Sequence, residues 1–209
     1  MQDLVLVGRS SSHFTRIARI FAHELGLEHA FEPVLEIASK SAVTFADNPT
    51  LRVPSLRTST GTWFGSLNVS RELARRANRY DDVVWPEHLV DATSMNAQEI
   101  VTETMAAEVT IVMARAAKLA SDHPFLAKPL ARVDASLAWL ERELPGVLAR
   151  APKRSCSFLE VSAFCMCEHL PFREVRVMGD YPNLVAFARR FGDRESARAT
   201  EYRFDVAQS

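Results

Sequence analysis

The sequence has 209 residues, 47% of them apolar, and a formal net charge of −1. That length suits one compact domain or two small ones with a buried core, and a charge so near zero supplies no field to draw nucleic acid or an anionic membrane. Three cysteines at irregular spacing argue against a disulfide framework and fit a reducing compartment.

The start, Met1-Gln2-Asp3-Leu4, carries an acid where a secretory leader would carry basic residues, and its apolar run ends at Gly8. No uninterrupted apolar stretch is long enough to span a bilayer, so the expectation is a soluble, cytoplasmic protein. Leu4-Val5-Leu6-Val7 reads as a strand buried on both faces. Ser10-Ser11-Ser12 then precedes Phe14, Ile17, Ala18, Phe21 and Leu25, an apolar stripe at helical spacing that Gly26 stops. Ala30 to Glu36 reads as a second strand, giving a β–α–β unit with a right-handed crossover. Ser39 to Asp47 is ambiguous and is read as at most one helical turn, and Asn48-Pro49 marks a turn.

The next stretch is the most informative. Pro54 lacks an amide proton, so it belongs at the first position of a strand and not inside one. Val53, biased towards β geometry by the ring that follows, offers its backbone N–H and C=O to whatever lies opposite. A short alternating run, a turn at Ser59-Thr60-Gly61 and a second run at Thr62-Trp63-Phe64 read as a hairpin. Gly65-Ser66 opens a helical pattern through Leu67, Val69, Leu73 and Ala74, and such a helix start is a ready carboxylate or phosphate site. Extended backbone facing an anion-binding helix start suggests a groove for a small peptide-like acid. Strand, helix, strand, loop, hairpin, helix is the order of a thioredoxin-like α/β domain, placed over residues 1–79.

After Trp85-Pro86 no strand is evident, and residues 86–209 read as an all-α, helical-bundle domain. Val90 to Leu119 is one long helical pattern, broken at Asp122-His123-Pro124. Val133, Leu137, Leu140 and Leu144 form a second stripe, stopped by Pro145-Gly146. Ser157 and Glu160 fit a capping box ahead of an apolar helix, Val161 to Cys167, placed in the core. Tyr181-Pro182 starts a last helix through Phe187 and Phe191, ended by Gly192. Cys165 and Cys167 point to opposite sides of their helix and read as core thiols, with Cys156 the more exposed; no metal ligand set is read among cysteines or histidines.

The apolar-Val53-Pro54-x-Leu56 strand start, the hairpin and Ser66 resemble the glutathione site of the glutathione S-transferases. So does Ser12-His13-Phe14-Thr15-Arg16, which is similar to that family's Ser/Cys-Pro-aromatic-x-Arg/Lys pattern, with His13 in place of the usual proline. The runs Ser157-Phe158-Leu159-Glu160-Val161, Phe164-Cys165, Phe172-Arg173, Tyr181-Pro182-Asn183-Leu184 and Arg190-Phe191 resemble the C-terminal domain of bacterial members. The resemblance implies a cis Val53-Pro54 bond, although only ~5–6% of X-Pro bonds in folded proteins are cis. It implies that the Val53 backbone pairs with the cysteine of glutathione, that Ser66 and the helix start hold the γ-glutamyl end, and that Arg52 faces the glycine carboxylate. It assigns thiolate stabilisation to Ser12, with Ser10 and Ser11 as neighbouring alternatives, and it makes glutathione a co-substrate for attack on a small electrophile held in the helical domain. A homodimer is also implied, with Arg71, Arg75, Arg76 and Arg79 on a helix that the family places at the interface. One departure stands out: Gly65 occupies the position where the family has the acid that holds the glutathione amine. A competing reading follows from it, that of a non-catalytic adaptor with weakened glutathione binding.

Overall fold

The computed structural model describes residues 3–206; Met1 and Gln2 of the leader reading lie outside them. The apolar run near the start forms β1 (Val5–Gly8) and the helix after it is α1 (His13–Glu24). β1 pairs parallel with β2 (Ala30–Pro33) and antiparallel with β3 (Ser55–Thr58), which turns back into β4 (Gly61–Phe64). The strand order is β2-β1-β3-β4. α2 (Ser66–Arg76) follows β4 and packs against α1. Leu6, Leu56, Ile17, Ile20, Phe21 and Leu73 are all buried, so the core is the apolar stripe that the sequence displays.

β2 is shorter than the predicted Ala30–Glu36. Pro33 ends it on the edge of the sheet, where a missing N–H breaks no ladder. The chain then bends so that Val34 packs with Val7, Phe45 and Ala46, its N–H held by Gly8 O at 2.7 Å. The ambiguous Ser39–Asp47 stretch contains one 3₁₀ turn, Ala42–Phe45. Phe45 is fully buried and its carbonyl accepts the Ser55 hydroxyl at 2.9 Å.

The chain divides into two compact units: residues up to Val83 together with those from Asp193 onward, and Val84–Gly192. The sequence reading ends the first unit near Arg79 and gives all of 86–209 to the second. The returning segment belongs instead with the α/β unit, where Glu24 accepts from Ser196 Oγ at 2.5 Å and pairs with Arg194 at 3.1 Å.

The second unit holds α3 (Ala92–Ala116), α4 (Pro124–Arg150), α5 (Phe158–Phe172) and α6 (Pro182–Gly192). Asp91 caps α3 through the N–H of Ser94 at 3.0 Å, and Ser157 caps α5 through the N–H of Glu160 at 3.4 Å. α5 is buried nearly all round, and Glu108 of α3 meets His169 of α5 at 2.8 Å inside the unit. Cys156, read as the more exposed of the three thiols, is 3% exposed against 0% for Cys165 and 2% for Cys167, so all three are buried. Burial pushes the Cys167 thiol far up. Among the described residues no helix is long and apolar enough to cross a membrane.

The helix that Pro145 was expected to stop runs on to Arg150. A proline inside a helix strands the carbonyl four residues earlier, here that of Glu141. Asn183 repairs this loss, donating from Nδ2 to Glu141 O at 3.1 Å. The Glu141 carboxylate in turn accepts from the N–H groups of Asn183 (2.9 Å) and Leu184 (3.0 Å), the first free amides of α6 behind Pro182. One residue therefore secures both the proline in α4 and the start of α6. Glu141→Ala is expected to destabilise the helical unit by about 1–2 kcal/mol, and Glu141→Gln by roughly half as much, read from urea denaturation midpoints.

Candidate functional site

Ser55 is paired with Val7 on one side and Phe64 on the other. The chain leaves β1 just after Val7, enters β3 just before Ser55 and leaves β4 at Phe64. The Ser10–Ser12 turn, Val53-Pro54 and Gly65-Ser66 therefore converge at one end of the sheet. Gly65 N–H, donating to Pro54 O at 3.0 Å, ties two of the three together.

Ser12 is the N-cap of α1 and half-buried, its oxygen accepting the N–H of Thr15 at 3.3 Å. This uses a lone pair and leaves the hydroxyl proton free to donate. Ser10 and Ser11, the alternatives, are both buried, at 1% and 6% exposure. Gly8 permits the turn: a Cβ there would meet Thr15 Cγ2 at 2.4 Å. Thr15 Oγ1 then accepts the N–H of Arg9 at 3.3 Å.

The Val53-Pro54 bond is cis, the isomer that the resemblance implies. Pro54 is buried and Ser55 begins the ladder, so Val53 lies outside the pairing with its backbone groups unspent. Arg52 beside it is exposed. Sequence reading took Asn48 for a turn residue only. It is 2% exposed, donates to Arg52 O at 2.9 Å and accepts from Thr50 N at 3.0 Å and Thr50 Oγ1 at 2.8 Å. Asn48 thus fixes the loop that presents Arg52 and Val53.

Gly65 has φ 80° and ψ 150°, and Ser66 is the first residue of α2. That backbone region belongs almost entirely to glycine, so the chain geometry itself accounts for the residue. α2 starts with no side-chain cap and no acid in its first turn. Its leading amides and the positive end of its dipole are left for an anion.

The basic face of α2 is tied down within its own unit. Arg76 bonds Glu72 at 2.8 Å and Asp3 at 2.5 Å, which holds its guanidinium above the usual range. Arg75 lies over the Tyr80 ring, and Arg79 pairs with Asp82 and donates to Glu24 O.

Residues 11–76 match the family described as glutathione S-transferase, N-terminal domain. The chain as a whole has the glutathione S-transferase fold. It is similar to the glutathione S-transferase of Methylobacterium radiotolerans JCM 2831 in complex with glutathione sulfonate, at 19% identity and a TM-score of 0.76, over 99% of this chain and 98% of that one. A glutathione transferase family member from Pseudomonas fluorescens Pf-5 with bound glutathione is 21% identical, with a TM-score of 0.76 over 96% and 99% of the two chains. A glutathione S-transferase from Methylobacillus flagellatus KT with glutathione bound is 19% identical, with a TM-score of 0.75 over 95% and 99%. No curated protein matches the sequence.

Gly65→Ala places a Cβ in open space yet at a disallowed φ. It is expected to cost about 1–3 kcal/mol of stability, measured by denaturant unfolding, whereas a change within ~0.3 kcal/mol would mean the backbone relaxes freely.

Proposed function

We propose that this chain is a glutathione S-transferase-like enzyme that binds glutathione at the end of the sheet and activates its thiol. The observation that carries the reading is the convergence of three features: the Ser12 cap, the unpaired backbone of Val53 before Pro54, and the uncapped start of α2 at Gly65-Ser66. The Val53 backbone pairs with the cysteine of glutathione. Ser66 and the α2 amides take the γ-glutamyl carboxylate, and Arg52 takes the glycine carboxylate. The thiol proton leaves to solvent and the Ser12 hydroxyl donates to the sulfur; the thiolate then attacks an electrophilic carbon, forming a C–S bond as the leaving group departs to solvent with the electron pair of the bond it breaks.

A free thiol has a pKa of roughly 8.5, and each unit of lowering is worth about 1.36 kcal/mol. Capping and thiolate donation do not compete at Ser12, because one uses a lone pair of the oxygen and the other its proton. Ser12→Ala is expected to raise the pKa of bound glutathione by about one unit, seen in thiolate absorbance against pH, with affinity nearly unchanged. An unmoved midpoint would take the role away from Ser12.

Gly65 favours the second reading, an adaptor with the same fold, because no side chain there can hold the glutathione amine. The lost charge-assisted contact corresponds to about 1.5–3 kcal/mol, or roughly ten- to a hundredfold in affinity. Calorimetric titration with glutathione is expected to give weak but saturable binding, and an absence of heat would favour the adaptor. Gly65→Glu restores the carboxylate only against the φ strain, so its gain falls short of that full contact.

The enzyme is proposed to act in the cytoplasm as a homodimer. Met95, Val109 and Met113 support a subunit contact: all are exposed and lie on one stripe of α3. A two-fold dimer is the expected state, and sedimentation as a monomer at micromolar concentration would defeat it.

A further inference from the structure

We propose that Asp205 is a positioning residue of the thiol site: through the Ser10 N–H it holds the Arg9–Ser12 turn, and its charge sets the acidity of a thiol bound beside Ser12. The thiol part rests on the glutathione reading above; the positioning part does not.

Behind α1 a short helix, α7 (Glu195–Ala199), packs on it and sends the chain back to the start of α1. Arg16 anchors that return. Only 2% exposed, it donates to Ala197 O at 3.1 Å and Thr200 Oγ1 at 3.4 Å, and its guanidinium lies 4.3 Å from the centre of the Tyr202 ring. Thr200 Oγ1 donates in turn to Ser196 O at 2.7 Å. With both ends of this stretch fixed, Asp205 is delivered to the serine turn, where its Oδ2 accepts the Ser10 N–H at 2.8 Å.

The turn itself has few supports of its own. Ser12 N–H bonds Arg9 O at 3.1 Å, and Arg9 N–H reaches Thr15 Oγ1 at 3.3 Å. Asp205 supplies the bond at the apex, from 195 residues away in sequence. A carbonyl or an asparagine would satisfy the same N–H. A carboxylate adds a charge, and with Cα atoms 3.8 Å apart it lies within about 12 Å of Ser12, less because the turn is folded.

Other charges face the same spot. Asp205, Arg16 and Arg203 all act electrostatically on Arg19, which donates to Ala199 O at 3.5 Å. Arg9 is engaged with Leu35 O at 3.1 Å and Ser11 Oγ at 3.5 Å. Asp205 thus brings its negative charge to the turn among several arginines. An anion at that range disfavours a thiolate, so loss of its charge makes the thiol more acidic. The sign is opposite to that of losing the Ser12 hydroxyl.

Asp205→Asn keeps an acceptor for Ser10 and removes the charge; Asp205→Ala removes both. In the full chain, the pKa of bound glutathione in Asp205→Asn is expected to fall by roughly half a unit to one unit, with hydrogen exchange at the Ser10 amide kept near its parent rate. Asp205→Ala is expected to speed that exchange by about tenfold or more. An unchanged thiol pKa in Asp205→Asn would overturn the electrostatic role, and unchanged Ser10 exchange in Asp205→Ala would overturn the positioning role. If the parent chain binds no glutathione by calorimetry, the thiol half falls with the reading it rests on, while the exchange measurement still decides the other half.

Discussion

The pairing of Ser55 with Val7 on one side and Phe64 on the other is the constraint on which the candidate site depends. Side chains alternate along a strand, so a slip of one residue would carry Leu56 to the opposite face of the sheet. Leu56, fully buried between Leu6 and Trp63, makes such a slip prohibitive. With the register locked by the core, the chain exit from β1, the entry to β3 and the exit from β4 fall at one end of the sheet. The convergence of these three segments is thus a by-product of packing several residues away.

Two helix starts then face that end of the sheet, and they are prepared differently. α1 is closed by Ser12, whose oxygen already serves Thr15. α2 is left open, because its Gly65 cap has no side chain to offer. An occupied N-terminus presents a hydroxyl proton, and an empty one presents amides; the first suits a developing thiolate, the second a preformed carboxylate. The φ of Gly65 and the burial of Asn48 maintain this difference from the backbone side.

Much of this architecture was legible in the sequence because it follows from local patterns. The apolar run of β1, the stripe of α1, the hairpin around Ser59-Thr60 and the start of α2 at Ser66 each depend on neighbours a few residues apart. What could not be read depends on partners distant in sequence. Pro145 looks like a helix stop until Asn183 is known to satisfy the Glu141 carbonyl. The run Ala30 to Glu36 looks like one longer strand until β2 is seen to end at Pro33 on the sheet edge. Cys156 reads as the most exposed of the three thiols, and the fold still buries it with the others. At the site, Ser12, Val53, Pro54 and Ser66 stood out by motif, whereas Asn48 and Asp205 have no local signature: the one acts on the loop it belongs to, the other across the length of the chain.

Two features of this site concern negative charge, and under the proposed function they act at opposite ends of the ligand. At the amine end Gly65 offers no acid, so a cationic group is held less firmly there. At the sulfur end Asp205 supplies one, which opposes formation of an anion. The backbone conformation at residue 65 favours glycine, and the Ser10 amide finds its acceptor at residue 205. A ligand without a free amine would give up nothing at Gly65, and an electrophile reactive enough to need little thiolate would tolerate Asp205. If glutathione is the ligand, as proposed, this charge pattern leaves it held chiefly by its backbone and carboxylates, with the thiol rather than the amine bearing the cost.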